Sequence, residues 1–373
     1  MSYIWGDLLD RRKITKIHRA STPSQIRKNV RLRSAFGLVA ILGGIAAIAT
    51  SSHAQTPAEF YRGKTFRIMV AAAPGAAYDF VGRALAASMG RHIPGNPSII
   101  VENLPGAGSL VVMNTLYNKV PRDGTVIGLP INGIVHEPRL KLLSREGGAV
   151  NFDINKMSFV GSPTQQPQVL WVWHETPFKS IEDLRGSKSI MGATSFGADN
   201  YVLPIMLNAL LGTKMEVVTG YKAVADVFMA GERGELNGGT VNYSSIAGKP
   251  DWVRDKKARV LIQFGVERIA DLPDVPTAME LAGDENTKLA LRTYALKYKA
   301  AYPFMLPPGV PSERVETIRA AFMETMKDPQ FIEDSRRIGI DVDPVSGEDI
   351  ARLVAEIDKV PQDVIDRLKK IIN

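Results

Sequence analysis

The sequence contains no cysteine in 373 residues. That absence excludes a disulfide framework, a thiolate metal site and a cysteine nucleophile. It also excludes a lipid-bearing cysteine. Histidine is scarce too. Beyond residue 54 only His92, His136 and His174 occur, with no close pair, so a histidine metal site is not expected. His92 precedes Pro94 and reads as a helix-end residue; His174 follows Trp173 and reads as structural. A basic surplus is also missing from most of the chain, although the net charge is +7. Nine of the 46 basic residues and two of the 39 acids lie in the first 54, which leaves 37 of each sign. A neutral body offers no phosphate-binding surface, and no nucleic-acid partner is expected. Hydrophobic content of 45% and charged content of 23% are those of a globular protein, not a disordered, collagen-like or polytopic membrane one.

Enzyme motifs are missing as well. Gly106-Ala107-Gly108 would need glycine at 111 for a dinucleotide fingerprint, and Val111 stands there. The segment Gly192–Gly197 lacks the Lys-Ser/Thr of a phosphate loop. No G-x-S-x-G elbow occurs. No catalytic residue, metal or cofactor is expected.

The first 54 residues hold the charge excess and one apolar run, Ala35–Thr50. A basic stretch, an apolar stretch and the small-x-small end Ser52-His53-Ala54 make a secretory signal, cleaved near Ala54. The alternative is an uncleaved anchor, since Ser34–Thr56 could nearly span a bilayer. In both cases the body lies outside the cytoplasm.

The remaining length exceeds the roughly 250–300 residues at which one core stops growing, so two domains are expected. Short β-rich runs alternate with helical patterns, which implies βαβ units and mostly parallel sheets. Strands are expected at Phe66–Ala72, Ser98–Val101, Thr125–Leu129, Phe159–Ser162 and Val169–Trp173. A second set follows at Ser189–Ala193, Met215–Val218 and Arg259–Phe264. Helices are expected at Asp79–His92, Ser109–Lys119, Asn200–Leu211 and Ala223–Ala230. The breaks at Pro163–Pro167 and Leu272–Thr277 read as crossings between domains.

What carries chemistry is a set of small-residue loops between strand and helix. The first is Ala73-Pro74-Gly75-Ala76-Ala77-Tyr78-Asp79; the second is Leu104–Ser109; the third is Gly192–Asn200. Small residues let backbone N–H groups approach a ligand, and a helix N-terminus favours an anion without any basic side chain. The plain alternative for the first two is a tight turn, with Asp79 or Ser109 as helix N-cap.

The loops also carry a resemblance. APGAAYD (73–79), VENLPGAGS (101–109), PRDGTVIG (121–128), VVTGYKAVADVFMAGERGELNG (217–238), LPDVPTAMEL (272–281) and PPGVPSERV (307–315) occur in an order and spacing similar to the periplasmic solute receptors of tripartite tricarboxylate transporters, the Bug family. The resemblance covers residues 57–373. It implies an α/β, two-domain periplasmic-binding fold, type II-like, with each domain a mixed sheet flanked by helices and a ligand cleft between them. The expected division is a signal at 1–54, one domain from 55–162 and 266–373, and a second from 163–265. The implied function is capture of a small organic carboxylate, delivered to the transporter's membrane permease subunits by a monomeric receptor; the alternatives are a sensor that presents its ligand to a signalling receptor and a secreted hydrolase or isomerase. The implied ligand residues are Pro74, Gly75, Ala76, Ala77, Tyr78 and Asp79 from one jaw, and Thr194, Ser195, Phe196, Gly197, Ala198 and Asp199 from the other, with Asn132 and Gly133 in the cleft. Ala76-Ala77, Tyr78, Ser195, Tyr201 and Ala301-Tyr302-Pro303 depart from the family pattern. Tyr78 and Phe196 suggest an aromatic or bulkier carboxylate.

Overall fold

The computed structural model describes residues 55–142, 144 and 148–372. The expected signal and its cleavage site lie outside them.

The chain first lays down β1 (Thr65–Val70), β2 (Ser98–Asn103), β3 (Val126–Leu129) and β4 (Ser158–Ser162). It crosses at 163–167 and makes β5 (Gln168–Trp173), β6 (Ser189–Gly192), β7 (Met215–Val218), β8 (Gly238–Asn242) and β9 (Ala258–Phe264). It then returns to the first sheet with β10 (Phe304–Leu306) and β11 (Val345–Ser346). The first sheet runs β11-β4-β10-β3-β1-β2 and the second β7-β6-β8-β5-β9. Both are mixed. β1 pairs in parallel with β2 and β3, while β10 and β11 run antiparallel to their partners. β6 pairs in parallel with β7 and β8, and β5 is antiparallel to β8 and β9.

The flanking helices include α1 (Ala77–Met89), α2 (Leu110–Asn118), α3 (Asp199–Leu211), α4 (Val224–Glu232), α5 (Glu285–Lys299), α6 (Ser312–Thr325), α7 (Gly347–Asp358) and α8 (Gln362–Ile372). Ile68, Val70, Ile127 and Leu129 of the first sheet are wholly buried against Val81 and Leu85 of α1 and Ile318 and Phe322 of α6. On its other side Met69, Val126 and Met305 pack with α2 and α7. Leu170, Val172, Met191 and Ile262 of the second sheet pack with α3, and the same cluster takes in Leu291, Tyr294 and Tyr298 of α5 and Ile365 and Leu368 of α8. The chain past residue 266 therefore lends two helices to the second sheet's core, one before and one after it rejoins the first.

Two of the elements are absent from the sequence expectation for clear physical reasons. β8 is one, because Gly238-Gly239 resembles a turn. The glycine is required by packing: a Cβ on Gly238 would stand 2.0 Å from the Trp171 carbonyl oxygen of β5. α5 is the other. Its buried positions, Ala290, Leu291, Tyr294, Ala295 and Tyr298, follow helical spacing, but Lys288, Arg292, Lys297 and Lys299 are interleaved and dilute the pattern. Pro204 lies inside α3, not at its start, so the Asn200 carbonyl loses its usual helical donor.

Candidate ligand-binding site

In each sheet the strand order reverses beside one strand. β1 has β2 on one side and β3 on the other; β6 has β7 on one side and β8 on the other. Ligands of open α/β sheets bind outside the carboxyl ends of strands at such switch points. The chain leaves β1 through residues 71–76 and β6 through residues 193–198, so both predicted jaws start at a switch point.

The two loops are built alike. Ala76 N–H donates to the Ala73 carbonyl at 3.2 Å, and Ala198 N–H donates to the Ser195 carbonyl at 3.3 Å. Each turn has glycine at its third position with left-handed φ, +83° for Gly75 and +81° for Gly197. A turn of type II demands that conformation, and glycine adopts it without penalty. Each turn then delivers an alanine as N-cap, Ala76 to α1 and Ala198 to α3. Neither helix has a side-chain cap. The first-turn N–H groups of Ala77, Tyr78 and Asp79 have no intrahelical partner. In α3, Tyr201 N–H turns back to the Ala198 carbonyl, which leaves those of Asp199 and Asn200.

Side chains from each helix brace its own loop. Asp79 is third in α1, not its cap, and is 2% exposed. Its Oδ2 accepts from the Gly75 N–H at 2.8 Å and from Arg83 Nε at 3.0 Å; its Oδ1 accepts from Asn103 Nδ2 at 2.9 Å. Burial opposes ionisation of Asp79, but Arg83, the Gly75 amide and Asn103 outweigh it and hold the carboxyl below its ordinary value. In the other loop, Asn200 Oδ1 accepts from both the N–H and the hydroxyl of Thr194, each at 3.2 Å.

The Tyr78 hydroxyl is fully used. It donates to the Ala301 carbonyl at 2.9 Å and accepts from the Asn132 N–H at 3.0 Å. Its ring meets Tyr302 edge-on, with centroids 4.7 Å apart. Burial, and then the charges of neighbouring groups including Asp199, push the phenol well above its ordinary pKa. Gly133 follows Asn132 in a half-buried turn. Phe196, at 76% exposure, stands at the tip of the second jaw and packs edge-on against Tyr201 at 5.0 Å. Pro74 and Ser195 are exposed turn residues.

Sequence reasoning missed the groups beneath these loops. Lys297 Nζ lies 2.6 Å from Asp199 Oδ1, and the Tyr294 hydroxyl donates to the same oxygen at 2.9 Å. Both come from α5. Burial first, and then the charge of Asp199, raise the pKa of the buried Tyr298 hydroxyl. Ser109 stands at the N-cap of α2, as expected, but its hydroxyl makes no capping bond; it accepts the Ile131 N–H at 2.9 Å and steadies the exit of β3. Its left-handed loop, Gly106–Ser109, has positive φ at four successive residues. A separate open hollow of about 420 Å³ lies along the crossings, between Gln166, Asn242 and Tyr243 and the facing Ile340, Asp341 and Asp343; none of the predicted loop residues lines it. Among the described residues no cluster of His, Asp or Glu could hold a metal ion, and no helix is long and apolar enough to cross a membrane.

Two mixed sheets flanked by helices, with small-residue loops at both switch points, define a two-domain periplasmic-binding-protein architecture. A TctC solute-binding protein from Polaromonas shares it, with a TM-score of 0.65 and 17% identity over 84% of this chain and 99% of that one. So does a protein of R. palustris solved with adipate, with a TM-score of 0.53 and 22% identity over 82% of this chain and 97% of that one. A UPF0065 protein of Bordetella pertussis is 23% identical over 330 residues, 86% of this chain and 94% of that protein. The profile of the tripartite tricarboxylate transporter family receptor matches residues 81–371, and the chain belongs to that family of solute-binding receptors. The match begins at Val81, just past the first jaw.

Proposed function

We propose that this protein is a periplasmic receptor that captures a small organic carboxylate between two lobes and presents it to the permease subunits of its transporter. The lobes are residues 55–162 with 266–373, and 163–265. One observation carries the reading. The same local arrangement, a type II turn followed by an alanine N-cap and an uncapped helix, stands at both switch points, and both copies are bonded to one segment of chain. Tyr78 holds the Ala301 carbonyl, and Asp199 holds Tyr294 and Lys297. Unpaired N–H groups at helix ends suit a carboxylate. Contacts from both lobes would form together on closure. The adipate in the R. palustris relative supports a carboxylate ligand. Residues 1–54 would export the chain and be removed after Ala54; the mature receptor would work as a monomer, without cofactor or chemical turnover.

The experiment is mass spectrometry of whatever co-purifies with the mature protein, followed by thermal unfolding with that compound. A ligand present at about 100 times its Kd should add about 2.7 kcal/mol of stability. A co-purifying carboxylate that raises the unfolding temperature supports the reading. Chemical conversion of the compound by the protein, or stabilisation by uncharged compounds alone, would contradict it.

A further inference from the structure

Each helix end that would receive the anion carries an aspartate of its own. Asp79 is the third residue of α1 and Asp199 the first of α3. A bare carboxylate there would repel an anionic ligand, so the neutralisation of each matters. Arg83 clasps Asp79 through Nη2 at 2.9 Å and Nε at 3.0 Å. Lys297 reaches Asp199 at 2.6 Å. The Lys297 side chain is only 9% exposed and also bonds Tyr294, so it cannot swing out to meet a ligand. The four groups sum to zero formal charge.

What attraction remains comes from the helix ends, each worth about half an elementary charge. Two ends make about one positive charge, enough for one carboxylate. The loops at 73–79, 132–133 and 192–200 carry no lysine, arginine or histidine to meet a second. Residues 73–77 are exposed and apolar, Phe196 is 76% exposed, and Phe80 beside Asp79 is 46% exposed.

Resting on the carboxylate reading above, we infer that the site selects a singly charged carboxylate with an apolar body, and that the Lys297–Asp199 pair sets this charge limit. Asp199 cancels the field of Lys297, whose uncompensated charge would otherwise favour a second carboxylate without touching it; Lys297 in turn shields the ligand from Asp199. Both are positioning residues acting through charge, and they account for a preference different from the dicarboxylate seen in the R. palustris neighbour.

The test is isothermal titration of the mature protein with matched pairs, hexanoate against adipate and benzoate against phthalate, with hexanamide and benzamide as uncharged controls. In the natural protein the monoanion of a pair should bind about tenfold or more tightly than its dianion. Asp199→Asn leaves Lys297 uncompensated and should shift the ratio about tenfold toward the dianion. Lys297→Met leaves Asp199 bare and should weaken monoanion binding by a similar factor, and the double variant should restore it. Far-ultraviolet circular dichroism establishes that each variant is folded; if Asp199→Asn is not, the Lys297→Met and double-variant comparison carries the test. Adipate binding as tightly as hexanoate, or a ratio unmoved in the folded variants, overturns the charge limit while leaving the carboxylate reading intact. Amides binding as well as their acids, or no binding by any of the six compounds, overturns both.

Discussion

Ala76 and Ala198 stand where helices usually place Ser, Thr, Asp or Asn, because those side chains accept the otherwise unpaired first-turn N–H groups. Both have the extended backbone of an ordinary N-cap, φ −82° and ψ 164° at Ala76, φ −66° and ψ 152° at Ala198. Serine at either site could cap without rearrangement. Ala198→Ser should therefore stabilise the free protein by about 1 kcal/mol, while competing with a ligand for the same N–H groups. Urea unfolding and ligand titration should move in opposite directions, stability up and affinity down. If both rise, or affinity is unchanged, the helix end is not where the ligand sits. Tyr78 makes a different point. Its ring packs edge-on against Tyr302, so the two positions read in the sequence as departures from the family pattern touch each other. Tyr78→Phe keeps the ring contact but leaves the Asn132 N–H and the Ala301 carbonyl without their partner. The expected loss is about 1–3 kcal/mol in urea unfolding; an unchanged midpoint would mean water replaces the hydroxyl.

At the scale of elements, β8 shows how a close contact fixes a sequence. Gly238→Ala places a methyl against the Trp171 carbonyl and must displace a central strand, whereas Gly186 at a helix end has no atom within 4 Å of an added Cβ. Gly238→Ala should lose about 3 kcal/mol or more, and Gly186→Ala should stay within about 0.5 kcal/mol. Equal behaviour of the two in thermal unfolding would show that β8 is not seated between β6 and β5. The same element marks the limit of sequence reading. Strands such as Met215–Val218 and Phe159–Ser162 declare themselves as short β-rich runs bounded by turn residues, and the loops at 73–79 and 192–200 by their small residues. β8 and α5 do not, because one needs glycine against the backbone of a strand far earlier in the chain and the other mixes lysines into its apolar face. The candidate loops are legible in the sequence as backbone; the charges packed against them are not. Asp199 could be named as part of a loop, but its partner Lys297 lies 98 residues on, in a helix whose pattern is weak. Asp79 was readable as a cap because nothing in the sequence shows that Gly75, Arg83 and Asn103 converge on it.

Across the whole molecule, the body is formally neutral, so acidity acts on stability through buried groups more than through net charge. His136 is the clearest of these. It is fully buried at the end of the turn Asn132–His136 that follows β3, bonds the Thr293 carbonyl of α5 through Nε2 at 2.8 Å, and has no partner at Nδ1. Burial first, and then the positive charge of Lys297, push its pKa from 6.5 down to about 3, against the weaker opposing pull of Thr293 and Asp199. Between those values the unfolded chain binds a proton that the folded chain does not. Stability from His136 is therefore complete above pH 6.5 and falls as the pH drops below it, by about 1.4 kcal/mol per pH unit once the unfolded histidine is protonated. A second loss follows at lower pH. Arg268 and the Thr277 amide hold Glu280 at about 2, and Arg91 with His92 and the Gln330 amide hold Asp328 below its ordinary value, so both carboxylates favour folding above the normal carboxylate range and lose that contribution below it. His136→Gln can still donate to Thr293 but cannot titrate. Urea midpoints measured from about pH 7.5 to about pH 4.5 should fall with decreasing pH in the natural protein and stay nearly level in the variant, with the two curves converging in slope only where the carboxylates take over. Parallel curves across that range would mean that His136 is reached by water and protonates in the folded state.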